Sequence, residues 1–379
     1  MSKIKVDTVT NVAGSGAPNI PDGMTIGGVA LASINVQEHY AQSAEPSSPK
    51  DGAVWYDTDD DKAYVYINSE FYELDYTNIP YGALGSRGIF GGSTGTNSIE
   101  YITIATPGNG TDFGDLTVAR DAIGACAGGG RGLFGSGFHF SPNTYSNIID
   151  YITIATTGNA TDFGDLTLGG YYAGALSNGS RGVFFLGTTI SGGDFVNRNN
   201  LDYVTIATPG NGTDFGDLTV SRYWTSGAGS KDRGLFGGGL VGGTRQDVID
   251  YITIATPGNA TDFGNLTVAR QGVGACSDGS RALFAGGASG GYSSDNTDVI
   301  DYVTIASAGN ATDFGNLLSA VNNLGSSAAC ASTTRGVFAG GHNVASNVIQ
   351  YVTIQTLGNA TDFGDLITAK NTHAGLAGD

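Results

Sequence analysis

The sequence predicts an all-β chain: a six-bladed β-propeller preceded by an extended N-terminal segment and a small β module. Three observations predict it. The stretch "DYITIATPGNATDFGNLTVAR" (Asp250–Arg270) has near copies whose tyrosines fall at Tyr101, Tyr151, Tyr203, Tyr302 and Tyr351, a period near fifty residues. Self-similarity at such a period marks a repeat architecture. The 62 Gly against 9 Pro, with 40% hydrophobic residues, describe a turn-dense chain that still has the apolar mass for a core. Within each copy, Ile252 and Ile254 alternate with Tyr251 and Thr253, or their equivalents, at the period of two that a strand requires.

Each repeat reads as four short strands. Strand one is a small-residue segment such as "VGACSDG", and strand two is "RALFAGG" from Arg281. Its counterparts start at Arg87, Arg131, Arg181, Arg233 and Arg335. Strand three is "VIDYITIAT"; strand four is expected at "NLTVAR", after a turn "PGNATDFG". Strands bounded by Gly and Asn turns favour antiparallel meanders. Four meandering strands in fifty residues make a propeller blade, and six blades fill residues 79–379. Both "YGALGSRG" (Tyr81–Gly88) and the final "HAGLAGD" (His373–Asp379) look like strand one. One terminus is therefore expected to complete the blade begun by the other.

Small strand one, a diglycine after strand two, Tyr on strand three, an aromatic before strand four and a basic residue after it resemble the kelch repeat. The diglycine stands at Gly91-Gly92, Gly237-Gly238, Gly286-Gly287 and Gly340-Gly341, while the second copy has "GSG" and the third "FFLG". The aromatic is Phe, not Trp, at Phe113, Phe163, Phe215, Phe263, Phe314 and Phe363. The resemblance implies a kelch-like propeller; such folds serve as binding platforms and occasionally as enzymes.

Residues 1–78 lack the repeat. Residues 1–40 are an extended, Gly- and Asn-punctuated segment with too little apolar mass for a core of its own. Residues 41–78 hold "SPKDGAVWYDTDDDKAYVYINSEFYEL" (Ser48–Leu74), read as two or three short strands with an acidic turn at Asp59–Lys62. Trp55, Tyr56, Tyr64, Tyr66, Phe71 and Tyr72 supply its packing. Both stretches resemble the amino-terminal parts of tail-fibre and related virion proteins of tailed bacteriophages, marine and cyanobacterial ones in particular. "YITIATPGNATDFGDLTVAR…GSRGLFGGG" is similar to repeats in such proteins. The resemblance implies a virion location after synthesis in the host cytoplasm, attachment to other tail proteins through residues 1–78, and a homo-oligomer, with a trimer the first guess.

The chain carries a formal charge of −18. Such a surface repels phosphate backbones and anionic membranes, so neither nucleic-acid binding nor membrane insertion is expected. "MSKIKVDTVT" lacks the apolar core of a signal peptide, and no run approaches a membrane span, so a soluble protein without a classical leader is expected. Cys126, Cys276 and Cys330 share one repeat position, five residues before an arginine, and read as small core residues. The repeated "TDFG" offers Asp112, Asp162, Asp214, Asp262, Asp313 and Asp362, but calcium loops need several alternating carboxylates. Asp is expected to hold the turn through its own backbone, with Phe as anchor. The strand-two arginines are expected to bond carboxylates or carbonyls of their face. "NAT" and "NGT" at Asn109, Asn159, Asn211, Asn259, Asn310 and Asn359 recur by geometry, as turn chemistry.

Recognition is expected where the copies differ. The one–two turns and three–four loops barely change, whereas the two–three and four–one connections vary in length and residue type. In a four-strand meander these variable connections emerge on one face, and variable loops on a rigid scaffold are the usual carriers of binding. That face gathers Phe138, His139, Phe140, Tyr145, Tyr171, Tyr172, Phe195, Tyr223, Trp224 and Tyr292. Aromatics beside Asn, Asp and Gly suit sugar rings; the bland alternative is that they cap the core. His39, His139, His342 and His373 share no ligand spacing with Cys or Asp, and no nucleophile elbow or phosphate loop appears. No catalytic residue, cofactor or metal is therefore assigned. The expected function is a tail-fibre adhesin binding a host-surface receptor, a glycan or a protein, through the variable face. The alternatives are a purely structural virion component, such as a tail adaptor or capsid decoration, and a glycan hydrolase.

Overall fold

The Ile/Thr alternation around each repeat tyrosine does form a strand, and the small residues before five of the six repeat arginines form the strand nearest the propeller axis. The computed structural model describes residues 85–378 except 142, 192–193, 291–294, 322–327 and 342–345, together with 3–5, 25–26, 29–30, 39–42, 46–49, 53–57, 62–67 and 70–75. The described residues are all β, without a helix. The chain divides into two compact units, Met1–Pro80 and Tyr81–Asp379.

In the N-terminal unit, Val54–Asp57, Lys62–Ile67 and Glu70–Asp75 form an antiparallel meander. Lys3–Lys5 adds in parallel to one edge and His39–Gln42 to the other. Thr25–Ile26 and Val29–Ala30 form a separate small hairpin. Tyr64 is buried. The acidic turn expected at Asp59–Lys62 lies largely outside the described residues.

The second unit is a six-bladed propeller of antiparallel sheets. The second blade, for example, runs Gly124–Gly128, Arg131–Gly135, Thr144–Thr153, Thr161–Gly170 from axis to rim. The first blade takes its inner strand from the C-terminus: Ala374–Gly378 pairs with Arg87–Ser93. The terminal spare copy closes the ring, leaving no blade unpaired. Six separate apolar cores lie between neighbouring blades. One joins Ile89, Ile99 and Phe113 to Ala125, Phe134 and Ile152 of the next blade.

Strand four does not begin where the sequence placed it. It begins at the "TDFG" itself, as Thr111–Asp115 and its equivalents, and continues through the next five residues in the second, fifth and sixth blades only. The register skips one residue there: Asp112 faces Glu100 and Gly114 faces Ile99, with Phe113 between them. This β-bulge buries Phe113 against Tyr101, ring centroids 6.0 Å apart. Asp112 is an exposed strand residue, not the holder of a turn. Gly114 has φ 144°, and a Cβ there would lie 2.4 Å from the Gly158 carbonyl oxygen of the next blade, so the position requires glycine.

Identical contacts repeat around the ring. The Asn109, Asn159, Asn211, Asn259, Asn310 and Asn359 amide oxygens each accept the strand-four N–H of the preceding blade, at 3.0–3.1 Å. The recurrent "NAT" is thus geometry, though between blades and not within one turn. The strand-two arginines donate to carbonyls of the next blade, as Arg131 does to Ala207 at 2.7 Å, and lie over their own blade's tyrosine. The three cysteines are buried and free.

One network was not expected from the sequence. The base ending strand four pairs with the acid that precedes the next blade's tyrosine: Arg120–Asp150, Arg222–Asp250, Arg270–Asp301 and Lys370–Glu100, at 3.1, 3.1, 2.8 and 3.4 Å, all buried. Where Val321 stands in place of the base, Gln350 stands in place of the acid. Only Asp202, opposite Gly170, keeps the acid without the base. Burial raises its pKa, and it is held by Thr167, whose N–H and hydroxyl both donate to it.

Candidate functional site

Among the described residues, four of the variable four–one connections are stitched by backbone hydrogen bonds to the two–three loop of the next blade, and so share a face with it. Asp121 exchanges bonds with Phe138 at 3.2 and 3.0 Å, Tyr171 with Thr188 at 2.9 Å each way, and Tyr223 with Leu240 at 3.2 and 2.8 Å. Gln271 and Ala288 repeat the arrangement. In each case a four–one residue pairs with the start of the next two–three loop. The residue that follows, just before the inner strand, has a left-handed backbone: φ is 52° at Ala122, 59° at Tyr172, 62° at Trp224, 67° at Gly272 and 48° at Thr372. Backbone bonds from Ala122 to Thr372, Ala173 to Ala122 and Gly272 to Trp224 tie successive connections together close to the axis.

Seven of the aromatics picked from the sequence form one continuous run across three blades. Phe138 meets Phe140, Tyr145 and Tyr171 at centroid distances of 5.1, 5.4 and 5.3 Å. Tyr171 touches Tyr172 at 3.7 Å, and Tyr172 touches Tyr223 at 5.9 Å and Trp224 at 4.2 Å. Phe140 is 46% exposed; Phe138, Tyr145, Tyr171, Tyr172 and Trp224 are half-buried, and Tyr223 is buried. His139 is buried too, and burial lowers its pKa, helped by the Arg120 charge. It makes none of the ring contacts of the run. The backbone of Phe195 lies in the hairpin Thr188–Ser191/Asp194–Asn197, but its side chain and all of Tyr292 lie outside the described residues.

The sequence reading missed Asp121, which occupies the repeat position of Tyr171 and Tyr223. The signal was a carboxylate where two other copies place an aromatic. Asp121 Oδ2 accepts the Thr94 hydroxyl at 2.8 Å and the Thr372 hydroxyl at 3.0 Å. Its Oδ1 is buried without a hydrogen-bond partner from another residue. Burial pushes the carboxyl up to about 6, against the lowering effect of both hydroxyls and of its own backbone N–H. Tyr171 is pushed up to about 12 by burial and then by the Asp121 charge; Tyr172 rises further for the same leading reason.

The axial channel is a weaker candidate. It is lined by small inner-strand residues such as Ala125, Cys126, Ser177, Ala228, Cys276 and Ala331, and holds a cavity of about 60 Å³. Among the described residues, no three His, Cys, Asp or Glu side chains are grouped to hold a metal. No helix among them is long and apolar enough to cross a membrane. No protein-family model matches the chain, and no curated protein matches it.

Proposed function

We propose that this chain is a virion adhesin of a tailed bacteriophage, and that its propeller binds a glycan on the bacterial surface through the loop face. The observation that carries the reading is the aromatic run from Phe140 to Trp224, placed on the face where the six copies differ. Aromatic faces beside polar loops are what pyranose rings stack on. The left-handed backbone at Tyr172 and Trp224 supports it further. The fifth blade fills the position with Gly272, which meets the backbone demand without strain, yet two blades place large aromatic side chains there. Residues 1–78, unlike the repeats and resembling fibre leaders, are the part assigned to the particle and to oligomer formation.

The test is adsorption to bacterial cells of the labelled full chain and of its Tyr172→Gly/Trp224→Gly variant. The wild-type chain should bind and should block adsorption of the corresponding particle, and the variant should lose at least tenfold in affinity. Incorporation into particles with no cell binding by the wild type would make the protein a structural virion part. Release of sugar from host polysaccharide would make it a hydrolase.

A further inference from the structure

We propose that the Asp121 end of the aromatic run takes the ammonium group of an amino sugar, an inference that rests on the glycan-binding reading above. Asp121 is 2% exposed, and one carboxylate oxygen is satisfied by Thr94 and Thr372 while Oδ1 has no hydrogen-bond partner from another residue. A buried acceptor left unpaired is destabilising, more so when charged, so native structures seldom keep one without a use. The neighbouring base does not serve it: Arg120 is turned to Asp150 and to the Phe134 carbonyl.

Asp121 stands at one end of the aromatic run. Its backbone is bonded both ways to Phe138, whose ring leads directly to Tyr171 and then to Tyr172 and Trp224. An acid at the head of a row of π faces is the arrangement that selects a cation: the rings attract it through their quadrupoles and the carboxylate neutralises it. An ammonium group brings three donors and a charge, whereas a neutral hydroxyl would leave the buried carboxylate charge uncompensated. An anionic sugar would be repelled here and by a chain of charge −18. The selected ligand is therefore a pyranose that stacks on the rings and presents a free amine toward Asp121.

The measurement is titration calorimetry of the full chain with a glucosamine oligosaccharide and with its fully N-acetylated counterpart, which keeps the ring and removes the charge. Salt of about 0.5 M shortens the screening length to roughly 4 Å and suppresses non-specific attraction to the acidic surface. The free-amine oligomer should bind at least tenfold tighter. Asp121→Asn, which keeps an acceptor for both threonine hydroxyls, should erase that preference, while Trp224→Gly should weaken both oligomers. Equal affinities, or a preference that survives Asp121→Asn, overturn the proposal. So does a failure of both oligomers to bind; if the chain still adsorbs to cells through Tyr172 and Trp224, that failure leaves the glycan-binding reading intact.

Discussion

At the scale of single residues, Trp224 and Tyr172 carry large aromatic side chains on a backbone conformation that works against them. A non-glycine residue with left-handed φ is strained by about 1–2 kcal/mol, and Trp224 at φ 62° bears it where Gly272 does not. Trp224→Gly loses ring contacts to Tyr172 and Tyr223 but relieves that strain. The two are of similar size, so urea unfolding should show a change within about 1 kcal/mol. A core-capping tryptophan would instead show a loss of about 3 kcal/mol or more. Asp121 makes a second residue-scale prediction. Its carboxyl is raised from 3.8 to about 6 in the fold, so the folded state holds its proton more tightly than the unfolded chain. The stabilisation this gives is complete below about pH 4 and is lost as pH rises through about 6. Asp121→Asn should match wild type near pH 3.5 and exceed it by about 2–3 kcal/mol at pH 7, measured by denaturant midpoints. An unchanged pH profile would remove Asp121 as a buried titrating group.

Between elements, the six blade interfaces are variations on two complementary fits. The inner-strand residue at the cysteine position presses on the glycine of the next blade's strand two. A Cβ on Gly182 would lie 2.8 Å from Cys126 Sγ, one on Gly132 2.8 Å from a Leu376 methyl, and one on Gly88 2.7 Å from Cys330 Sγ. Where the inner residue shrinks to Ala228, the opposing glycine has become Ala282, and both sit in one core. Gly182→Ala should therefore cost about 1–3 kcal/mol, and adding Cys126→Ala should recover about 1 kcal/mol or more of it. Additive effects in the double-mutant cycle would deny the contact. The ion pairs form the second fit. Arg222→Val alone strands a buried Asp250 and should cost about 3–5 kcal/mol. Arg222→Val with Asp250→Gln reproduces the Val321/Gln350 combination the chain already uses, and should regain most of the loss in thermal unfolding. These fits were visible in the sequence as matched substitutions among copies, but only once it was known which blade follows which. Strand four was hidden for a different reason: the bulged Phe113 breaks the period of two, so a strand start looks like a loop.

For the whole molecule, the period and the strand alternation of the copies were enough to state the ring, its six blades and the closing role of the terminal strand. They sufficed because every blade buries its faces only on its neighbours. The face of the variable connections was legible too, since alternation of direction in a meander places them together. The contacts within that face were not. Nothing in the spacing of Tyr172 and Trp224 says that their rings meet at 4.2 Å, and nothing local marks Asp121 as buried. Both follow from one blade docking on the next. The reading of the chain as an adhesin rests on that assembled face, and competition for adsorption tests it most directly. Purified full chain should block attachment of the phage to its host in a saturable way, and the Tyr172→Gly/Trp224→Gly variant, folded and equally stable, should block at least tenfold less well. Equal blocking by the two proteins would contradict the account.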